Sequence, residues 1–145
     1  MATLTDALTT GLWTVGAELS VLHASGAAGG GPTGPDLLAD AAVVLPVVVG
    51  HGRPRSVDVH TALYRVAEAR GAGRDRPHRL RLADEALEMF AAYLVAEEFA
   101  LPAERAKDVA RGWLAHRTQA ETRGALRAAA RYFRRVLATT DLWAA

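Results

Sequence analysis

Residues 80–137 constrain the fold of this chain most, because their apolar residues recur with the period of an α-helix. One apolar stripe along the first part of this stretch comprises Leu80, Ala83, Leu87, Phe90, Ala91, Leu94 and Val95. A second apolar ridge, on nearly the opposite side, comprises Leu82, Ala86, Met89 and Tyr93. The remaining sector, predicted to be exposed to solvent, comprises Arg81, Glu85, Glu88 and Ala92. A helix that is apolar on two sides needs neighbours on both. We therefore predict a central helix over about residues 78–99.

Two local signals divide the rest of this stretch into two further helices. Pro102 suits the first turn of a helix, where its missing N–H costs nothing, and this helix is predicted to end near His116. Thr118 and Glu121 then have the spacing of a capping box, in which each side chain bonds the backbone N–H of the other. The box predicts a last helix from Thr118 to about Ala138.

The N-terminal part has a different organisation. Residues 5–23 predict an amphipathic helix whose apolar face includes Leu8, Leu12, Val15 and Leu19. Residues 25–35 contain five Gly and two Pro, which favours a flexible connector. The predicted organisation is an N-terminal amphipathic helix (1–24), a flexible linker (25–35) and a helical bundle domain (36–145).

Two more helices are predicted at the start of the bundle domain. Asp36 can act as the N-cap of a helix that ends near Val44. Pro46 interrupts the β-branched run 43–49, so we expect a buried extended segment there. Ser56 can cap a helix from about residue 57 to Arg70. The expected fold class is a single-domain, all-α bundle of five or six helices.

The composition excludes several classes of protein. A chain of 145 residues is the size of one domain, and its net charge of +1 is not that of a polyelectrolyte. The absence of cysteine excludes disulfides and thiolate metal sites and fits a cytoplasmic location. No apolar run reaches the ~18 residues that span a bilayer, and the N-terminus lacks the basic region of a signal peptide, so no membrane association is predicted.

Arginines in the last two helices form the main candidate site. Residues 111–135 hold seven Arg and one acidic residue, whereas residues 82–99 hold five acidic residues and no basic one. The candidate nucleic-acid contacts are Arg117, Arg123, Arg127, Arg131 and Arg134, of which the last four lie within about one quadrant of a helix. These arginines either face solvent or pair with the acidic helix, or they form a patch for a phosphate backbone.

A second candidate site is a pocket between helices. His60, Tyr64, Glu97 and Glu98 are the candidate wall of a small-ligand pocket. Glu97 and Glu98 oppose the helix macrodipole, so an arginine partner is expected for them. A metal triad of His51, Asp58 and His60 is conceivable, but Asp58 is better explained as a first-turn acid and His60 as a surface residue. No catalytic residue, metal or cofactor is predicted.

Three segments resemble a family of small actinobacterial helical proteins of unknown function. They begin at Asp36 (DLLADAA), at Thr61 (TALYRVA) and at Val109, the last continuing through Trp113 to residue 130. The resemblance covers roughly residues 36–138. It implies a helical fold and an actinobacterial or phage-like origin, and it implies no activity.

These observations favour a non-catalytic interaction or accessory protein, with a protein partner or a second copy of the chain as its ligand. The expected dimer interface is formed by Leu8, Leu12, Val15 and Leu19. The alternative is nucleic-acid binding through the arginine face, and a less favoured one is a small-ligand binder or enzyme with an inter-helix pocket.

Overall fold

The structure is a computed structural model that describes residues 33–70 and 75–144, with side chains up to residue 138. The described residues form five helices and no strand, so the predicted all-α bundle is confirmed. The helices are α1 (Gly34–Val49), α2 (Ser56–Arg70), α3 (Arg76–Ala96), α4 (Ala106–Leu114) and α5 (Gln119–Ala144).

The first described helix begins earlier and ends later than predicted. Thr33 is the N-cap of α1, and Thr33 and Asp36 form a capping box across the first turn. The prediction that Asp36 is the N-cap is therefore wrong. Gly34 and Pro35, assigned to the linker, belong to the helix because proline is tolerated in a first turn. The predicted extended segment is also wrong, since α1 continues through Pro46 to Val49.

The helix α3 is the centre of the bundle and contacts each of the other four described helices. Both predicted apolar ridges are buried, and Phe90, Met89 and Leu94 are among the largest fully buried side chains. Of the sector predicted to be exposed to solvent, only Arg81 is exposed; Ala92 is fully buried and Glu85 nearly so, and the prediction is wrong there. The reason is tertiary: α1, α2, α4 and α5 all pack against α3.

The outer helices pack on this centre and on one another. α1 packs most extensively against α5 and α2, and its Leu37, Leu38 and Leu45 are fully buried. Phe133 of α5 is also fully buried. Trp113 of α4 meets Phe90 edge to face, with ring centroids 5.9 Å apart. Burying a large apolar side chain stabilises a fold by roughly 1.5–3 kcal/mol, so these residues account for the compact arrangement.

The end of α3 adopts a conformation that is unusual for its residue type. The N–H groups of Glu98 and Phe99 donate to the carbonyl oxygens of Val95 and Leu94 at 3.0 Å and 2.8 Å, which is a Schellman motif. Glu98 has φ 62°, in the left-handed region that normally requires glycine. The chain leaves α3 at this point, and α4 begins only at Ala106, with Arg105 as N-cap, so the predicted helix start at Pro102 is wrong.

Glu98→Gly is expected to raise the free energy of unfolding by about 0.5–1 kcal/mol, because glycine adopts a positive φ without the clash of a Cβ. Urea denaturation followed by circular dichroism measures the change. Glu97→Gly is the matched control, since Glu97 has φ −86° and ψ 3° and gains nothing from glycine. Equal or lower stability of the Glu98 variant relative to wild type would contradict the expected strain.

Candidate functional site

The N-terminus of α5 is fixed by the capping box that the sequence predicted. The N–H of Glu121 donates to Oγ1 of Thr118 at 3.1 Å, and the N–H of Thr118 donates to Oε1 of Glu121 at 3.2 Å. The Thr118 hydroxyl also donates to Oε1 of Glu121, at 3.1 Å, and the backbone and side-chain hydrogen bonds that this carboxyl accepts from Thr118 hold its pKa below the ordinary value. The box fixes the residue at which α5 begins.

Arg117, the first predicted phosphate contact, is held by its own neighbourhood. Its guanidinium lies 4.9 Å from the ring centroid of Trp113, a cation–π distance. Its Nε donates to the carbonyl oxygen of Trp113 at 3.3 Å, and Nη1 lies 3.4 Å from Oε2 of Glu121. The side chain therefore links the end of α4 to the start of α5.

Arg123 compensates for a proline in the middle of α1. Pro46 has no N–H, so the carbonyl oxygen of Ala42, four residues earlier, lacks its helical donor. Nε of Arg123 donates to this oxygen at 2.8 Å. Because Ala42 is fully buried, an unsatisfied carbonyl there would cost roughly 1–3 kcal/mol. Arg123 thus has a structural role at the contact of α5 with α1.

Arg134 pairs with the capping box at the other end of α1. Its Nη2 lies 3.3 Å from Oδ1 of Asp36, while Oδ2 of Asp36 accepts from the N–H of Thr33 at 3.3 Å. Partial burial raises the pKa of the Asp36 carboxyl, but the hydrogen bonds from Thr33 and Arg134 outweigh it, so this pKa lies below its ordinary value. Arg134 therefore connects α5 to the start of α1.

Two of the five predicted arginines remain available to a ligand. Arg127 and Arg131 are exposed and make no hydrogen bond or ion pair among the residues that the structure describes. The pKa of the Tyr93 phenol is raised mainly by burial and further by the Glu97 carboxylate, whereas the Arg131 guanidinium lowers it. Arg131 thus lies near the end of α3 and makes no ion pair with Glu97 or Glu98.

The structure does not bring the predicted pocket residues together. His60 lies beside Asp84 in the first half of α3, whereas Glu97 and Glu98 lie at its end, about 20 Å further along at 1.5 Å per residue. Tyr64 packs against the main core. Neither glutamate side chain has a hydrogen-bond or ion-pair partner in the described part of the chain, so the arginine partner expected for them is not found among these residues.

A different cleft lies where α2, α3 and α4 meet, with a volume of about 630 Å³. Its polar lining residues are Ser56, His60, Asp84, Glu88, Glu104, Arg105, Lys107 and Arg111. Nε2 of His60 and Oδ1 of Asp84 are 2.6 Å apart in its wall. Only His60 of the predicted pocket lines this cleft, because the cleft depends on how α4 packs beside α2.

The conceivable metal triad does not form. Oδ2 of Asp58 accepts from the N–H of Arg55 at 2.7 Å, as the first-turn acid of α2, and His60 is engaged with Asp84. Among residues 33–70 and 75–144, no group of three or more His or acidic side chains is arranged to hold a metal ion.

The sequence did not identify the exposed valines of α1 as a candidate surface. Val43 and Val47 are one helical turn apart and are 65% and 75% exposed. The sequence predicted that the whole run 43–49 is buried. Because the helix continues past Pro46, exposed valines instead alternate with the less exposed Val44 and Leu45. The predicted interface residues Leu8, Leu12, Val15 and Leu19 lie outside the described residues.

Comparison with known proteins adds no relative. No protein-family model, no curated protein and no solved structure matches this chain. The resemblance to small actinobacterial helical proteins therefore stays a prediction. None of the helices in the described part of the chain is both long and apolar enough to cross a membrane.

Arg123→Met is expected to lower the free energy of unfolding by about 1–3 kcal/mol, because it leaves the buried Ala42 carbonyl without a donor. In a Pro46→Ala background the loss should fall below about 1 kcal/mol, since residue 46 then supplies the N–H itself. Urea denaturation of all four proteins gives the coupling energy.

Arg127→Met is the matched control for this cycle. It removes the same guanidinium from an exposed position on the same helix, so its effect should stay within about 0.5 kcal/mol in both backgrounds. An equal loss for Arg123→Met with and without Pro46 would refute the compensating role of Arg123.

Proposed function

We propose that this chain is a non-catalytic cytoplasmic interaction protein that assembles with a second copy of itself. The observation that carries the proposal is the pair Val43 and Val47, which expose most of their side chains on one face of α1. Contiguous apolar patches larger than a few hundred Å² mark interaction sites, and in the proposed dimer this pair is one part of such a patch. Polar side chains nearby serve the fold, since Asp40 pairs with Arg70 and Asp36 with Arg134.

The size of this surface indicates what the interface must include. Full burial of two valines contributes roughly 3–6 kcal/mol at most, whereas stable dimers bury about 1,200–2,000 Å² in total. Val43 and Val47 are therefore too few to hold a dimer by themselves. The predicted apolar face of residues 5–23, with Leu8, Leu12, Val15 and Leu19, would supply the remaining area.

The proposed dimer is tested by light scattering of the full chain. Wild type should have twice the 15.4 kDa of one chain, and Leu12→Asp should have the mass of one chain. A buried aspartate would lose its hydration, which disfavours association strongly. Thr10→Asp is the control, because position 10 lies on the opposite side of the predicted helix and should leave the dimer intact. A monomeric wild type would end the proposal.

Nucleic-acid binding is the second candidate, and it is favoured by the exposure of Arg127 and Arg131, one turn apart on α5. Both guanidinium groups are unpaired in the described part of the chain and could contact two phosphates of one backbone. The other three predicted contacts are engaged in the fold, so the expected affinity is low and strongly salt-dependent.

For this candidate, wild type should bind a random duplex at low salt. Arg127→Glu with Arg131→Glu should weaken binding. The negative slope of log K against log salt should become shallower by about 2, one for each lost phosphate contact. Arg53→Glu with Arg65→Glu makes the same charge change at exposed positions outside α5 and should keep the wild-type slope. No binding of wild type at low salt excludes this function.

A further inference from the structure

The exposed face of α1 has the spacing of a helix-docking site. Val43 and Val47 are separated by four residues and project from the same side of the helix. Among the residues with described side chains, the other large exposed apolar ones lie elsewhere: Val57 in the first turn of α2, and Phe99 and Leu101 between α3 and α4. A second helix with apolar residues four apart would cover the valine pair, with the ridge of one helix in the groove of the other.

The chain itself contains a segment with that pattern. Residues 5–23 predict a helix with Leu8 and Leu12 four residues apart on its apolar face. This segment lies outside the described residues, and the chain that follows it enters the structure at Thr33, the N-cap of α1. The valine face and the predicted leucine face therefore belong to neighbouring parts of the sequence.

The lengths of the two elements match in an antiparallel arrangement. Leu12 precedes the end of the predicted helix at His23 by about 16 Å, and Val43 follows Thr33 by about 15 Å, at 1.5 Å per residue. For Leu8 and Val47 the corresponding distances are about 22 Å and 21 Å. Residues 24–32 can span up to about 30 Å, so the same contact can form within one chain or, by exchange of the segment, with α1 of a second copy.

We infer that residues 5–23 of each copy dock antiparallel on the Val43–Val47 face of the other copy, with Leu12 near Val43 and Leu8 near Val47. Two-fold symmetry then uses the same contact twice, which doubles the buried area and brings it towards what a stable dimer needs. This inference rests on the proposed dimer and deepens it by naming the surface that receives the N-terminal segment.

The absence of cysteine from the wild-type chain allows a direct test. A full chain carrying Leu12→Cys is co-expressed with a full chain carrying Val43→Cys and a tag that changes its mass, and the pair is oxidised under native conditions. The expected product is a covalent dimer of one chain of each kind, seen on a non-reducing gel and by mass spectrometry. Circular dichroism checks that both chains retain wild-type helix content.

Val57→Cys replaces Val43→Cys in the control, because Val57 is also an exposed valine, 54% against 65%, but on α2. The Val43 pair should cross-link at least about tenfold faster than the Val57 pair, since docking raises the effective concentration of the two thiols. Equal rates for the two pairs would overturn the inference, and so would covalent dimers formed mainly between two Leu12→Cys chains.

A single chain with both Leu12→Cys and Val43→Cys separates exchange between copies from docking within one chain. An interchain disulfide supports the inference, and an intrachain disulfide without covalent dimer overturns it. The light-scattering mass of unmodified wild type reports on the proposed dimer independently. A dimer that fails to cross-link between positions 12 and 43 would refute only the docking surface, whereas a monomer would refute the proposed function as well.

Discussion

The hydrogen bond from Nε of Arg123 to the carbonyl oxygen of Ala42 is the interaction on which the arrangement of α1 depends. Pro46 removes one helical hydrogen bond in the most apolar helix of the described bundle, at a point where water cannot replace it. A side chain from α5 supplies the donor instead. The helix can therefore continue to Val49, which is why Val47 stands on its surface.

The same contact determines the relative position of α1 and α5. Gln119 donates through Nε2 to the carbonyl oxygen of Gly50 at 2.8 Å, just beyond the C-terminal end of α1. Arg134, further along α5, reaches Asp36 in the first turn of α1. With Arg123 between them, these bonds join two antiparallel helices at both ends and in the middle. Two of the three donors are arginines, which explains why an arginine-rich helix need not be a nucleic-acid site.

The charge pattern of the sequence thus has two different explanations. Arginines of α5 that face α1 satisfy backbone and carboxylate oxygens, whereas Arg127 and Arg131 project from the bundle. The excess of acidic residues in α3 does not neutralise them, because its first acidic residues lie near α2 and α4, and Glu97 and Glu98 make no ion pair in the described part of the chain. Complementary charge in two segments does not establish that the segments meet.

The sequence by itself determined the local features of this protein. The capping box of Thr118 and Glu121, the two apolar ridges around Phe90 and the all-α class depend on interactions between residues a few positions apart, which periodicity and spacing reveal. Only the tertiary structure decided the rest. A donor from another helix let α1 continue through Pro46, neighbouring helices buried Ala92, and the packing of α2 on α3 placed His60 beside Asp84 and away from Glu97. These outcomes depend on contacts between residues far apart in the chain, and helical periodicity carries no information about such contacts.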